Sequence, residues 1–114
     1  MRILVIEDDV LVRDVVVELL KDRHKISIAR DGKEGIKMIE KFKPQLVITD
    51  FQMPRKNGID VTRHIRLSKL DIKIIMISAN ADYIRPVAKA AGVDIVIQKP
   101  FSLEEITEAI DSLS

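Results

Sequence analysis

Leu46-Val47-Ile48-Thr49-Asp50-Phe51-Gln52-Met53-Pro54 is the stretch that decides the fold. Four apolar or β-branched residues run into a lone acid, and a proline follows four places later, so the run reads as a buried parallel strand with Asp50 at its carboxyl end. Open α/β sheets bind their ligands outside that end. Asp is also a common cap of helices and turns. Asp50 alone therefore fixes only a strand end, and its meaning depends on what other strands bring to the same edge.

Towards the N-terminus, residues 2 to 7 form another apolar run that ends in acid. From Asp9 the spacing changes to Val12, Val15, Val16, Leu19 and Leu20, a helical stripe. Valine is a weak helix former, so this helix depends on packing against the sheet. Lys25 to Arg30 alternates Ile26 and Ile28 with polar neighbours and reads as a half-exposed strand. Asp31-Gly32 is the turn, and Lys33 to Lys41 a helix with Ile36 and Ile39 inward, stopped before Pro44. Towards the C-terminus, Asn57-Gly58 supplies a turn and Ile59 to Leu67 a third helix. Ile72 to Ser78 is a central strand buried on both faces, and Ala81 to Ala91 a helix closed by Gly92. Asp94 to Gln98 gives a fifth strand and Ser102 to Leu113 the last helix, opened by a capping box of Ser102 and Glu105.

Strand and helix thus alternate five times. The pattern predicts an α/β fold: a flavodoxin-like, doubly wound, five-stranded parallel sheet in the order 2-1-3-4-5, with helices on both faces. Residues 1–114 are expected to form a single domain. A dinucleotide-binding fragment would need glycines after the first strand, and this chain has Glu7-Asp8-Asp9 there. With no cysteine, disulfides and thiolate metal sites are excluded, which suits a reducing cytosol. The N-terminus meets acid too soon for a signal peptide, and no apolar run is long enough for a bilayer, so a cytoplasmic location and no membrane partner are expected. A net charge of +1 with 32% charged residues of mixed sign argues against direct nucleic-acid binding. Arg55-Lys56 and Arg63-His64-Arg66 read as a solvated loop and a solvated helix face.

In the 2-1-3-4-5 order the first and third strands are neighbours, so Glu7, Asp8 and Asp50 converge on one rim. Like charges about 4 Å apart repel by roughly 4 kcal/mol at an effective dielectric near 20. Such a cluster requires a counter-ion. Carboxylates without His or Cys select a hard cation, and Mg²⁺ suits them better than Ca²⁺, with Mn²⁺ as the alternative. Asp9 reads as the cap of the first helix. Ser78 and Lys99 end adjacent strands at the same edge. Lys99 could neutralise Asp50 at rest, and both could donate to a phosphoryl group on Asp50.

The motifs Ile-Leu-Val-Ile-Glu7-Asp8-Asp9, Val-Ile-Thr-Asp50-Phe-Gln-Met-Pro54 with Asn57-Gly58, Ile-Ser78-Ala79 and Gln-Lys99-Pro100-Phe101 resemble those of receiver domains of two-component response regulators, over essentially the whole chain. The resemblance implies that Asp50 is the phosphoacceptor. It further implies that Glu7, Asp8, Asp50 and the backbone carbonyl of Gln52 hold Mg²⁺, and that Ser78 and Lys99 take phosphoryl oxygens. A cis peptide at Lys99-Pro100 is implied as well. The implied partners are a histidine kinase or phosphotransfer protein and a downstream protein target, with the domain a monomer or weak dimer. It would be no turnover enzyme, but would assist its own phosphorylation and dephosphorylation.

The chain departs from that pattern at Val96, where many receivers carry an aromatic ring on the fifth strand. Switching is then expected to run through the loop after Ser78 and the fourth helix. That helix contains Pro86 and is expected to be short or displaced. Gln52 and Asn80 flank the expected path of hydrolytic water, and as neutral amides imply moderate self-dephosphorylation. Val10 and Val17 lie off the core stripe of the first helix, where they could dock a kinase. The sequence ending at Ser114 favours a stand-alone receiver over the receiver part of a DNA-binding regulator or hybrid kinase. A metal-dependent phosphohydrolase ranks lower, because Gln52 stands where such enzymes want a second Asp.

Overall fold

The computed structural model describes residues 1–114, and strand and helix alternate along its whole length. The elements are β1 (Arg2–Ile6), α1 (Val10–Leu20), β2 (Lys25–Ala29), α2 (Gly32–Phe42), β3 (Leu46–Asp50), α3 (Gly58–Leu67), β4 (Lys73–Ser78), α4 (Ala81–Ala91), β5 (Ile95–Gln98) and α5 (Leu103–Leu113). All neighbouring strands pair in parallel, in the order β2-β1-β3-β4-β5 that the sequence predicts. The alternation of strand side chains explains why β1, β3 and β4 are apolar without a break. Ile3, Val5, Ile48 and Ile77 pack with Val16 and Leu20 of α1 and Ile106 and Ile110 of α5. Leu4, Ile6, Val47 and Met76 pack on the other face with Ile39, Ile65 and Ile84 of α2, α3 and α4. β2 closes one edge, and its Ile28 stays exposed.

Polar side chains set the helix starts. Asp9, Asp31, Asn57 and Ser102 each accept hydrogen bonds from backbone N–H groups of the first turn that would otherwise lack partners. Ser102 and Glu105 form the expected capping box. Asn57 forms a second one with Asp60, so Asn57-Gly58 is the start of α3 rather than a separate turn. Asp31-Gly32 likewise opens α2. No helix is long and apolar enough to cross a membrane.

Four expectations are corrected. Val15 is not part of the α1 core stripe, being 52% exposed while Val16 and Leu20 are buried. α1 meets the sheet along a narrower line than its valine spacing suggests. The fourth helix is not short: α4 runs the expected eleven residues, Ala81–Ala91, with Pro86 inside it. Pro86 lies on the exposed face, where the Asp82 carbonyl that it leaves without an N–H can bond water. The two basic clusters are not merely solvated. Arg66 Nε and Nη2 donate to the Gly92 carbonyl at 3.1 and 2.9 Å, Nη1 to the Ile72 carbonyl at 2.8 Å, and Nη2 also meets Asp94 at 3.2 Å. Arg55 pairs with Asp31, its Nε at 3.2 Å from the carboxylate.

Candidate functional site

β1 and β3 lie side by side, with Ile6 opposite Thr49, so the residues that end them share one rim. Carboxylate oxygens of Glu7, Asp8 and Asp50 all lie within 4.8 Å of one another. Glu7 and Asp50 are buried, while Asp8 faces solvent. Asp9 stands apart from this trio and caps α1, accepting from Leu11 N at 2.9 Å and Val12 N at 3.3 Å.

β5 delivers Lys99 to the same place through its pairing with β4. Its ammonium lies 3.2 Å from Asp50 Oδ1 and 3.3 Å from Glu7 Oε1, bridging the two buried acids. Burial raises the Glu7 carboxyl, and the Asp50 charge raises it further, up to about 7 against the opposing pull of Lys99. Burial alone would lower Lys99, but the Asp50 and Glu7 charges outweigh it and hold the ammonium above its ordinary value. One cation facing three acids leaves the rim short of positive charge. All the side-chain donors are carboxylate oxygens, the set that hard divalent cations prefer, so the cluster could hold a metal ion.

Ser78 ends β4, is buried, and its Oγ accepts from Asn80 N at 3.0 Å. A cleft of about 410 Å³ opens beside Asp50 and is lined by Ser78, Lys99, Gln52 and Asn80 together with Phe51 and Tyr83. The structure therefore brings together every site residue that the sequence singles out. The Lys99-Pro100 peptide is cis, as the resemblance implies. Val96 is buried on β5 and carries no ring.

Sequence reasoning missed Tyr83 and Phe51. Tyr83 is 87% exposed on α4, yet borders the cleft; an aromatic five residues beyond Ser78 gave no periodic signal, because it faces away from the core. Also missed was Leu11. It lines a shallow apolar groove with Val12, Val15, Pro100 and Phe101 next to Lys99, whereas Val17 is half-buried. Of the two valines expected off the core stripe, only Val10 is clearly exposed, at 54%.

Residues 3–111 match the family model of the response regulator receiver domain. The chain is 35% identical over 96% of its length to a probable C4-dicarboxylate response regulator, DctR, of Bacillus subtilis (strain 168), covering 50% of that protein. To the response regulator MprA of Mycobacterium leprae (strain TN) it is 34% identical over 99% of its length, again covering 50% of the relative. The chain thus spans about half the length of these curated relatives. Among solved structures, the response regulator protein TrrA of Thermotoga maritima, in complex with Mg²⁺-BeF, superposes with a TM-score of 0.88 and 32% identity, over 99% of this chain and 98% of that one.

Proposed function

Because the chain belongs to the response regulator receiver domain family of two-component signalling, we propose that Asp50 is its phosphoacceptor, taking a phosphoryl group from a phosphohistidine of a histidine kinase or phosphotransfer protein. The observation that carries this reading is the bridge formed by Lys99, 3.2 Å from Asp50 and 3.3 Å from Glu7, at the mouth of an open cleft.

An Asp50 oxygen attacks phosphorus, the P–N bond to the donor imidazole breaks, and the imidazole leaves as the acyl phosphate forms. Lys99 holds the Asp50 carboxylate in place before the attack and then faces the incoming phosphoryl oxygens, a contact made stronger by the charge of about −1.5 to −2 that the modification adds. Ser78 turns its hydroxyl from the Asn80 amide towards one of those oxygens. Water later attacks phosphorus and returns Asp50 as a carboxylate with release of inorganic phosphate. Gln52 and Asn80, both exposed at the cleft, orient that water without acting as a base. As a phosphorylated receiver the chain is a signalling component rather than a turnover enzyme.

The cation in this reading is Mg²⁺, held by Glu7, Asp8, Asp50 and the backbone carbonyl of Gln52. Bound there, it supplies charge neutralisation for the transferring phosphoryl group. The Mg²⁺-BeF complex of TrrA supports Mg²⁺ over Mn²⁺. A kinase or phosphotransfer helix would seat on the apolar groove of Leu11, Val15 and Phe101 beside the site. The twofold length of the curated relatives favours a second reading, in which these residues are the receiver of a longer regulator.

The test is intact-mass spectrometry after incubation with acetyl phosphate and Mg²⁺. Wild type gains one phosphoryl mass and loses it again slowly, and Asp50→Ala gains none. A wild-type gain that survives in Asp50→Ala would overturn the assignment.

A further inference from the structure

The segment between β3 and α3, residues 51–57, carries the Gln52 carbonyl, is tied to the sheet at its start and is closed on itself at its end. Phe51 N donates to the Ile77 carbonyl at 2.9 Å, and Gly58 N to the Phe51 carbonyl at 2.9 Å. Its middle is held by something else. Lys56 N donates back to the Pro54 carbonyl at 2.8 Å, closing a three-residue turn around Arg55, whose φ is +70. Positive φ is unfavourable for any residue with a Cβ, and such a turn persists only where the surroundings enforce it.

The enforcing contact comes from the start of α2. Asp31 is buried and caps α2, accepting from Glu34 N at 2.8 Å through Oδ1. Its second oxygen, Oδ2, accepts from both Nε and Nη2 of Arg55. The backbones meet at the same point: a Cβ on Gly32 would stand 2.0 Å from the Lys56 carbonyl oxygen. Asp31 does not touch the acidic rim, and nothing in the capping of α2 requires an arginine. The Glu34 hydrogen bond first, and the Arg55 partner second, hold the Asp31 carboxyl below its ordinary value, so the pair is charged near neutrality.

We infer that Asp31 and Arg55 are a positioning pair for the metal site: by pinning the strained turn at Arg55 to the start of α2, they set where the Gln52 carbonyl points. This rests on the proposed role of that carbonyl as a ligand. The three carboxylates come from strand ends and the segment after β1, whereas the carbonyl belongs to a loop that is tied to the sheet at Phe51 and not along its middle. Outer contacts of this kind orient ligands without touching the ion. The Asp31–Arg55 contact thus couples the β2–α2 connection, at the sheet edge, to Mg²⁺ affinity at Asp50.

Titration of ¹⁵N-labelled chain with MgCl₂ tests the coupling. The Met53 amide shares its peptide group with the Gln52 carbonyl and reports on that ligand, while the Asp8 and Asp9 amides report on the acidic rim. Wild type should shift at both places. Arg55→Ala should bind Mg²⁺ about tenfold more weakly, with a smaller limiting shift at Met53 and an unchanged one at Asp8. Arg55→Gly, free of the positive-φ penalty, should weaken Mg²⁺ equally even if Arg55→Ala unfolds, and Arg55→Lys should recover part of the affinity. Asp31→Asn keeps the α2 cap and should behave as Arg55→Lys does. Wild-type Mg²⁺ affinity in Arg55→Gly, whatever its melting temperature, overturns the positioning role and leaves the metal site standing. Absence of any Mg²⁺-dependent shift in wild type overturns the Mg²⁺ reading itself, and the pair's role with it.

Discussion

The two ends of the one sheet are built on opposite electrostatic terms. At the amino end, polar groups meet partners of complementary charge. Arg66 satisfies the Gly92 and Ile72 carbonyls and pairs with Asp94, which also accepts from Ile74 N at 2.7 Å. Arg2 donates to the Phe42 and Lys43 carbonyls at the C-terminal end of α2, and its guanidinium lies 4.4 Å from the centre of the Phe42 ring. At the carboxyl end, Glu7 and Asp50 are buried within reach of each other and of Asp8, with one lysine between them. The same strands thus carry a closed end, where charge is matched, and an open end, where it is left in deficit. The deficit destabilises the fold and makes the rim a place where a cation could be held.

Four measurements break or sharpen that contrast. The largest effect belongs to the closed end. Arg66→Ala should cost about 3 kcal/mol, because two carbonyls and Asp94 lose a charged partner together. The melting temperature should fall by roughly 15 °C, with phosphorylation by acetyl phosphate intact at a temperature where the variant is folded. Loss of phosphorylation in the folded variant would show that the two ends are not independent.

Next is the pH dependence of the open end without metal. Glu7 has its carboxyl raised from 4.5 to about 7, so between those values the folded chain binds more protons than the unfolded one. Stability should therefore fall as pH rises through this window, by at most about 3 kcal/mol from this group, and level off above it. Urea midpoints across the window should show the slope, and saturating Mg²⁺ should flatten it. A metal-free stability that climbs from pH 5 to 7 would contradict the picture of an uncompensated rim.

Asp50→Asn should be smaller and opposite in sign to most core changes. Removing one of the crowded charges while Lys99 still pairs with Glu7 should stabilise the metal-free protein by about 1 kcal/mol, as functional sites held under strain commonly do. A lower urea midpoint would mean that the Lys99 pairing outweighs the repulsion. Smallest is Val15→Lys on the exposed face of α1, expected to change stability by less than about 0.5 kcal/mol. A larger loss would place Val15 in the core after all.

The misreadings share a physical cause. Val15 fits a helical stripe, yet spacing reports a face of the helix and not how wide a strip the sheet covers. Pro86 breaks a local rule but sits where water can repair the damage. Arg55 and Arg66 look like solvated residues because their partners, Asp31 and Asp94, lie 24 and 28 residues away in the chain. Tyr83 is a cleft residue only because α4 passes beside Asp50 and Ser78.

Apolar runs of strand length, alternating with helical stripes, determined the sheet, its strand order and the rim shared by Glu7, Asp8 and Asp50, since side-chain periodicity and parallel crossovers leave few alternatives. Caps such as Ser102 were legible for the same reason: their partners lie within one turn. Only the tertiary structure decided which charges meet. Lys99, expected beside Asp50, also reaches Glu7 across 92 residues. Arg55 finds Asp31 rather than solvent, and Arg66 finds carbonyls, which every residue possesses and no sequence pattern marks. Long flexible cations take whatever partner the packed backbone brings within a few ångströms, and that distance is settled only when the helices have docked.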